Sequence, residues 1–216
     1  MEVVSNPKES EGYHILVVFG DGSRDREFVT RALKNRREKH CKLKVFVPES
    51  GAKGLGELQI LGKGVEGVLG FLKLHVTRRS PWAYIVVIDK EHCKGNCVNA
   101  VEAGSRKLGV AIKGFKKLNS CPDLYRFDLS VGSKEFRAYF AFLGKECCLE
   151  EFVLTFCSER VAGKGEDGEG CCEFYKASLR KLSKERVEAC EESAREMLYK
   201  ALSKAFAEAS SSLGIN

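Results

Sequence analysis

Short apolar runs alternate with amphipathic stretches along most of the chain. The first run, at 14–19, is short and rich in β-branched residues, which is typical of a buried strand. The stretch that follows places Phe28, Ala32 and Leu33 on one helical face. The same pattern predicts strands over 14–19, 43–47, 83–88, 110–115, 124–129 and 136–143, and helices over 24–39, 65–76 and 97–108.

Strands that alternate with helices of this length form βαβ units, in which the strands run parallel. The strands themselves agree with this arrangement, because a strand covered on both faces reads as a continuous apolar run. We therefore expect an α/β fold, with a mainly parallel sheet flanked by helices and a helical C-terminal segment.

Near the C-terminus, apolar residues recur at helical spacing from Val187 to Phe206, behind Ser183, a residue type that often caps helices. This stripe predicts a helix that packs on the rest of the protein, with assembly into a homodimer as the alternative. The expected organisation is a flexible tail over 1–12, an α/β domain over 13–157, a glycine-rich linker over 158–170 and a helical segment over 171–216.

The apolar pattern predicts no membrane segment. The longest clean apolar stretch, Ala83–Ile88, is far shorter than the roughly 20 residues that span a bilayer. The first 14 residues are polar and partly acidic, unlike a secretory signal. We expect a cytoplasmic protein without a membrane partner. Its net charge of +6 is compatible with binding a nucleic acid, and equally with a solvated surface of mixed charge.

The ten cysteines form none of the C-x2-C pairs that are common in zinc sites. Cys93 and Cys97 are four residues apart, and two further pairs, Cys147–Cys148 and Cys171–Cys172, are adjacent. Buried thiols or intracellular disulfides fit this spacing better. Two methionines among many charged residues are typical of a hyperthermophile, in which cytosolic disulfides occur. We therefore predict at least one disulfide.

Acidic residues follow two of the predicted strands. Asp21 and Asp25 lie in the turn "FGDGSRD" after the first strand, and Asp89 and Glu91 lie in "YIVVIDKEH" after the third. The first turn has the spacing of neither a P-loop nor a dinucleotide fingerprint, and its acids would repel a pyrophosphate. Open α/β folds bind ligands at the carboxyl ends of their strands, which makes both turns candidates.

The acidic turns make chemical sense if the two strands that precede them are neighbours in the sheet. We then expect the carboxylates of Asp21 and Asp89 to lie within about 8 Å, the range that one or two ions bridge. Carboxylates forced together repel one another unless a divalent cation neutralises them, and oxygen ligands favour Mg²⁺ or Mn²⁺. The alternative is that each acid only caps the helix that follows it.

The order of these motifs resembles that of TOPRIM domains, which occur in topoisomerases, primases and nucleases of the OLD (overcoming lysogenisation defect) group. The two motifs are "DGSRD" at 21–25 and "DKE" at 89–91. Two further stretches, "ESGAKGLGEL" and "FRAYFAFLGKECCLEEFVL", resemble the glycine-rich loop and the late strand and acidic helix start of the small stand-alone and OLD-type members. The resemblance spans residues 14–157.

The resemblance implies a divalent-metal-dependent nuclease, or a related phosphodiester hydrolase, that acts on DNA or RNA. Carried over from the family, Asp21 takes the acid–base or metal-linked role, and Asp25 supports it as a second catalytic residue. Asp89 and Glu91 become ligands of Mg²⁺ or Mn²⁺, and Glu150 completes a second metal position. The family has Glu at the first acid and Asp at the last, so both Asp21 and Glu91 depart from its pattern.

These departures leave a second hypothesis, a catalytically degenerate TOPRIM-like module that binds nucleic acid or nucleotide without cleaving it. Under either hypothesis the cations beside the motifs are the expected contacts to a nucleic acid. They are Lys53 in the glycine-rich loop, Arg24 and Lys90.

Overall fold

Five parallel strands and an antiparallel hairpin form the sheet of this protein in a computed structural model. The model describes residues 1–5, 12–20, 23–34, 42–48, 64–79, 81–93, 95–157 and 170–214. The strands are β1 Glu2–Val4, β2 Ile15–Phe19, β3 Lys44–Phe46, β4 Ala83–Asp89, β5 Ala111–Ser120, β6 Asp123–Val131 and β7 Lys134–Leu143. The helices are α1 Ser23–Lys34, α2 Gly64–Arg78, α3 Cys97–Leu108, α4 Leu149–Leu154, α5 Cys171–Arg180 and α6 Lys184–Leu213.

The strand order in the sheet is β1-β3-β2-β4-β7-β6-β5. The first five of these strands are parallel, and β6 and β5 join antiparallel to β7. The predicted α/β fold with a mainly parallel sheet and a helical C-terminal segment is therefore confirmed. The strands that end at Phe19 and Ile88 are neighbours, as predicted, because β2 pairs with β4 along its whole length.

The N-terminal end differs from the expected flexible tail over 1–12. Glu2–Val4 form β1, an edge strand that pairs in parallel with β3. The backbone supplies this pairing, and only Val4 of the three residues is buried, so the apolar pattern carried little signal. The predicted helix over 24–39 is described as far as Lys34, and residues 35–41 lie outside the described residues.

Alternating residues of the central strands form two cores. Ile15, Val17 and Phe19 point to one face, which α1, α4 and α6 cover, while Leu16 and Val18 point to the other, which α2 and α3 cover. The stripe of α6 lies in the first of these cores through residues that are at most 1% exposed, namely Ala194, Leu198, Ala201, Leu202, Ala205 and Phe206. Among the described residues, no helix is both long and apolar enough to cross a membrane.

Two disulfides join described cysteines, one at the carboxyl ends of the parallel strands and one at the C-terminal segment. Cys93–Cys97 joins the turn after β4 to the start of α3, and Cys157–Cys190 joins the chain after α4 to α6. These pairs confirm the prediction of at least one disulfide. The second pair fixes α6 to the α/β domain on the far side of the linker, and such a cross-link stabilises by restricting the unfolded chain.

A buried histidine makes the stability of the fold depend on pH. Nε2 of His75 lies 3.2 Å from the hydroxyl of Tyr13, and its Nδ1 lies 2.9 Å from the hydroxyl of Tyr84. Burial, and to a lesser degree the charge of Arg79, lowers the pKa of His75 from 6.5 to about 4. Because the unfolded chain takes up this proton at a higher pH than the folded chain does, stability is lost as the pH falls through this range.

We expect the free energy of unfolding to fall by about 2–3 kcal/mol more in the wild type than in His75→Gln when the pH is lowered from 6.5 to 4. Glutamine cannot titrate, so it lacks this part of the pH dependence. Urea denaturation of both proteins at the two pH values measures the difference, and a repeat at pH 8, where both side chains are neutral, corrects for the substitution itself. Equal losses in both proteins would contradict the assignment.

Candidate metal centre

The turn after β4 carries two of the predicted metal ligands. Asp89 is the last residue of β4 and is only 6% exposed, and Glu91 lies in the 3₁₀ turn Lys90–Cys93 that follows. The N–H of Glu91 donates to the carbonyl oxygen of Cys147 at 2.7 Å, which ties this turn to the loop after β7. Oδ1 of Asp89 is buried and has no hydrogen-bond partner among the residues that the structure describes. Burying a carboxylate oxygen without a hydrogen-bond partner destabilises the folded state, unless a cation or a proton binds to it.

Two further acids lie near Asp89 although they belong to other elements. Asp25 is in the first turn of α1 and Glu150 is in the first turn of α4, and both are buried. Burial raises the pKa of Asp89 well above its ordinary value, and the negative charges around it raise this pKa further, in the order Asp25, Cys172, Glu150 and Glu91. Three of the four other predicted acidic residues therefore lie around the buried carboxyl group of Asp89.

Cys172, at the start of α5, is the member of this site that the sequence did not reveal. Asp89, Glu91 and Cys172 each offer one ligand atom, and the three atoms lie within 4.8 Å of one another. Sγ of Cys172 donates to Oε2 of Glu150 at 3.5 Å. Its position beyond the linker gave no spacing signal, because only the packing of α5 against α4 brings it to the acids.

Two of the three cations predicted to contact nucleic acid, Arg24 and Lys90, are held by acids. Arg24 pairs with Glu150 at 2.8 Å and with Glu191 at 3.3 Å. Nζ of Lys90 pairs with Oδ2 of Asp123 at 2.6 Å. Each cation already has an acidic partner, so a phosphate group would have to compete with that partner for it.

Two predicted site residues, Asp21 and Lys53, lie outside the described residues. The separation of Asp21 from Asp89 within about 8 Å therefore stays a prediction. The backbone that leads towards Asp21 is described as far as Gly20, whose N–H donates to the carbonyl oxygen of Val87 at 3.0 Å. The ends of β2 and β4 are thus joined two residues before Asp89.

A buried glutamate organises the loop between β7 and α4. Oε2 of Glu151 accepts the backbone N–H groups of Lys145, Glu146 and Cys147 at 2.8, 2.9 and 2.9 Å. Its Oε1 accepts the hydroxyl of Tyr175 at 3.2 Å, which adds α5 to the same network. A carboxylate that accepts several N–H groups holds a loop strongly, because each bond is charge-assisted.

The same loop requires glycine at its first position. Gly144 has φ +84°, a left-handed conformation that residues with a Cβ rarely adopt. A Cβ here would lie 2.6 Å from the backbone nitrogen of Cys148, closer than any unstrained contact. The path of the chain from β7 to the cysteines is therefore set by backbone contacts as well as by Glu151.

An open cleft of about 1410 Å³ lies next to the acidic cluster. Its wall includes Lys90, Glu91, His92, Tyr125 and Lys145. The wall carries two lysines and one aromatic ring beside the four carboxylates of Glu66, Glu91, Asp123 and Glu146. The cleft is therefore lined by charges of both signs.

Comparisons of the chain with protein-family models, with curated proteins and with solved structures found no match. The assignment of this site therefore depends on its own geometry and chemistry.

Proposed function

We propose that this protein is a divalent-metal-dependent phosphodiester hydrolase of TOPRIM-like organisation, acting on DNA or RNA. In this proposal Asp89 and Glu91 hold Mg²⁺ or Mn²⁺, and Glu150 contributes to a second metal position. Asp25 and the predicted Asp21 take part in proton transfer. The observation that supports the proposal most is the buried Oδ1 of Asp89, which has no hydrogen-bond partner among the described residues and is surrounded by further acids.

The donor atoms fit a hard cation in part. Carboxylate oxygens are the ligands that Mg²⁺ and Mn²⁺ favour, and one or two of them are enough because Mg²⁺ retains most of its waters. The sulfur of Cys172 is a soft ligand and does not suit these ions. We assign it instead to the thiol form, in which it donates to Glu150. Asp89 and Glu91 then remain as the oxygen ligands.

When bound, the ion would neutralise charge on the phosphodiester and lower the pKa of a water that attacks it. In this proposal Asp25, which is buried near Asp89, would act as the base that accepts a proton from the attacking water. Lys90 lines the cleft and Arg24 lies at Glu150, and both could orient a phosphate by exchanging their present acidic partners for it.

Cleavage of supercoiled plasmid, single-stranded DNA and single-stranded RNA, each with Mg²⁺, with Mn²⁺ and with EDTA, tests the proposal. We expect the wild type to cleave at least one substrate only when the metal is present. Glu91→Gln should lower that rate at least about 100-fold, because it removes a ligand charge at nearly constant shape. Glu135→Gln is the matched control, since it removes the same charge from an exposed position at the opposite end of β7.

A wild type that cleaves none of these substrates would contradict the hydrolase. Fluorescence anisotropy with the same labelled oligonucleotides would then identify the second hypothesis, the degenerate binding module, by saturable binding without turnover. Equal losses of activity in Glu91→Gln and Glu135→Gln would instead show that the activity does not depend on this site.

A further inference from the structure

The two adjacent cysteine pairs, which looked unrelated in the sequence, lie together in the fold. Cys147, Cys148, Cys171 and Cys172 form one cluster in which every residue is at most 7% exposed. The first pair belongs to the loop after β7 and the second pair begins α5. The structure joins four other cysteines as disulfides but has these four as thiols. The cluster therefore needs an explanation other than a disulfide.

We propose that this thiol cluster binds a thiophilic divalent cation, for which Zn²⁺ is the probe. The sulfur atoms of Cys147, Cys148 and Cys172 all lie within 4.8 Å of one another. A tetrahedral zinc site with Zn–S bonds of about 2.3 Å has its sulfur atoms about 3.8 Å apart, so small side-chain rotations would close the site. Cys171 belongs to the same buried cluster and is the candidate for the fourth ligand, although the group of three sulfur atoms within 4.8 Å of one another does not include it.

The cluster is closed off from solvent, because all four cysteines are buried where the loop after β7 meets the start of α5. A zinc ion bound here would displace the thiol protons and take their place as the partner of the sulfur atoms.

The loop that carries the first pair is already fixed. Three N–H groups of this loop bond to Glu151, and Tyr175 of α5 bonds to the same carboxylate. Both halves of the cluster are therefore held by one side chain before any metal binds. Cys171 and Cys172 are the first two residues of α5, so the start of this helix carries the second half of the cluster.

The cluster is distinct from the acidic site, although Cys172 touches both. Cys172 lies near Asp89 and Glu91 as well as near the other thiols, and in the thiol form it donates to Glu150. The binding of zinc to the sulfur of Cys172 would release that proton to the solvent and leave Glu150 with Arg24 as its partner. This proposal stands whether or not the acidic site hydrolyses phosphodiesters.

Titration of the reduced, metal-free protein with Co²⁺, followed by ultraviolet–visible absorption, tests the proposal. We expect a sulfur-to-cobalt charge-transfer band that saturates at one Co²⁺ per chain, with an intensity that corresponds to three or four thiolates. Addition of Zn²⁺ should remove the band, because Zn²⁺ binds the same ligands more tightly than Co²⁺ and displaces it. Cys148→Ser and Cys172→Ser should each weaken Co²⁺ binding at least tenfold. Loss of a side chain that only hydrogen-bonds to a metal ligand already weakens metal binding by about this factor.

Three controls locate the site. Cys121→Ser removes an exposed thiol elsewhere and should leave the band unchanged, as should the double variant Cys93→Ser with Cys97→Ser. Asp89→Asn should also leave it unchanged. A band lost in Asp89→Asn, or a wild-type band with the intensity of only one thiolate, would place the ion at the acidic site and overturn the proposal. No band in the fully reduced wild type would overturn it without any need for a variant.

Discussion

In EDTA at neutral pH, Asp89→Asn should melt about 2–4 °C higher than the wild type, which corresponds to about 1 kcal/mol for a chain of this length. The reason is that burial and neighbouring negative charges raise the pKa of Asp89 in the folded protein. A carboxyl group whose pKa is higher in the folded than in the unfolded chain stabilises the fold below the unfolded value of 3.8. This stabilisation is lost as the pH rises, so at neutral pH the buried group is a cost to the folded protein. Asparagine has nearly the same shape and no charge, so it avoids the cost.

The same substitution should remove the response to metal. We expect millimolar Mg²⁺ or Mn²⁺ to raise the melting temperature of the wild type by several degrees and to leave that of Asp89→Asn unchanged, because the ion binds only the folded protein and needs this carboxylate. Metal-dependent cleavage should disappear together with the stabilisation. Melting curves of both proteins with EDTA and with each ion, at neutral pH and again below pH 3.8, give all of these comparisons.

Glu135→Gln serves as the charge-matched control and should keep the wild-type response to metal. If Asp89 only caps the turn that follows it, the result has the opposite sign: Asp89→Asn melts lower in EDTA and neither protein responds to metal. A wild type that is indifferent to both ions would argue against a hydrolase and in favour of the binding module.

Glu151→Ala should lower the free energy of unfolding by about 4 kcal/mol. The substitution removes the acceptor of three backbone N–H groups and of the Tyr175 hydroxyl, and leaves these donors without it. A hydrogen bond to a charged group contributes about 1.5–3 kcal/mol, and a buried donor without a partner costs about 1–3 kcal/mol, although such contributions are not additive. Urea denaturation measures the loss. Tyr175→Phe, which removes one of the four bonds, should cost only about 1 kcal/mol.

Glu146→Ala is the control for this experiment, because Glu146 lies in the same loop and its side chain is exposed. Its substitution should change the free energy of unfolding by less than about 0.5 kcal/mol. Similar losses in Glu146→Ala and Glu151→Ala would mean that the loop is weakened by any substitution, and that the carboxylate of Glu151 has no special part in holding it.

The central strands could be predicted from the sequence because their apolar residues are local and continuous. Both faces of β2 and β4 are buried, so each reads as an uninterrupted apolar run. The acids that follow these strands were predicted to lie together, since the carboxyl ends of parallel neighbours meet at one edge. Asp89 and Glu91 are placed together at the end of β4, and Asp21 lies outside the described residues.

The pairing of the edge elements could not be predicted in the same way. The apolar pattern of β5 and β6 marks strands but does not say that they form an antiparallel hairpin on β7, since the direction of a strand leaves no periodicity. β1 is only three residues long and mostly unburied, so its backbone pairing with β3 has no sequence signal. For these elements the sequence determined at most that strands exist, and tertiary pairing decided their position.

The same distinction between local pattern and tertiary contact applies to the residues of the site. The sequence by itself determined that acids follow adjacent strands, because that follows from local pattern and from the direction of parallel strands. Glu150 was expected at this site only from the resemblance to TOPRIM domains. The sequence could not determine that Cys172 would reach Asp89, or that two adjacent cysteine pairs would form one cluster. These contacts arise where α4 and α5 pack together. The length of the segment between the two helices does not indicate which of their residues will meet. Only the tertiary structure decided them, because side chains that meet through helix packing are related by geometry and not by spacing along the chain.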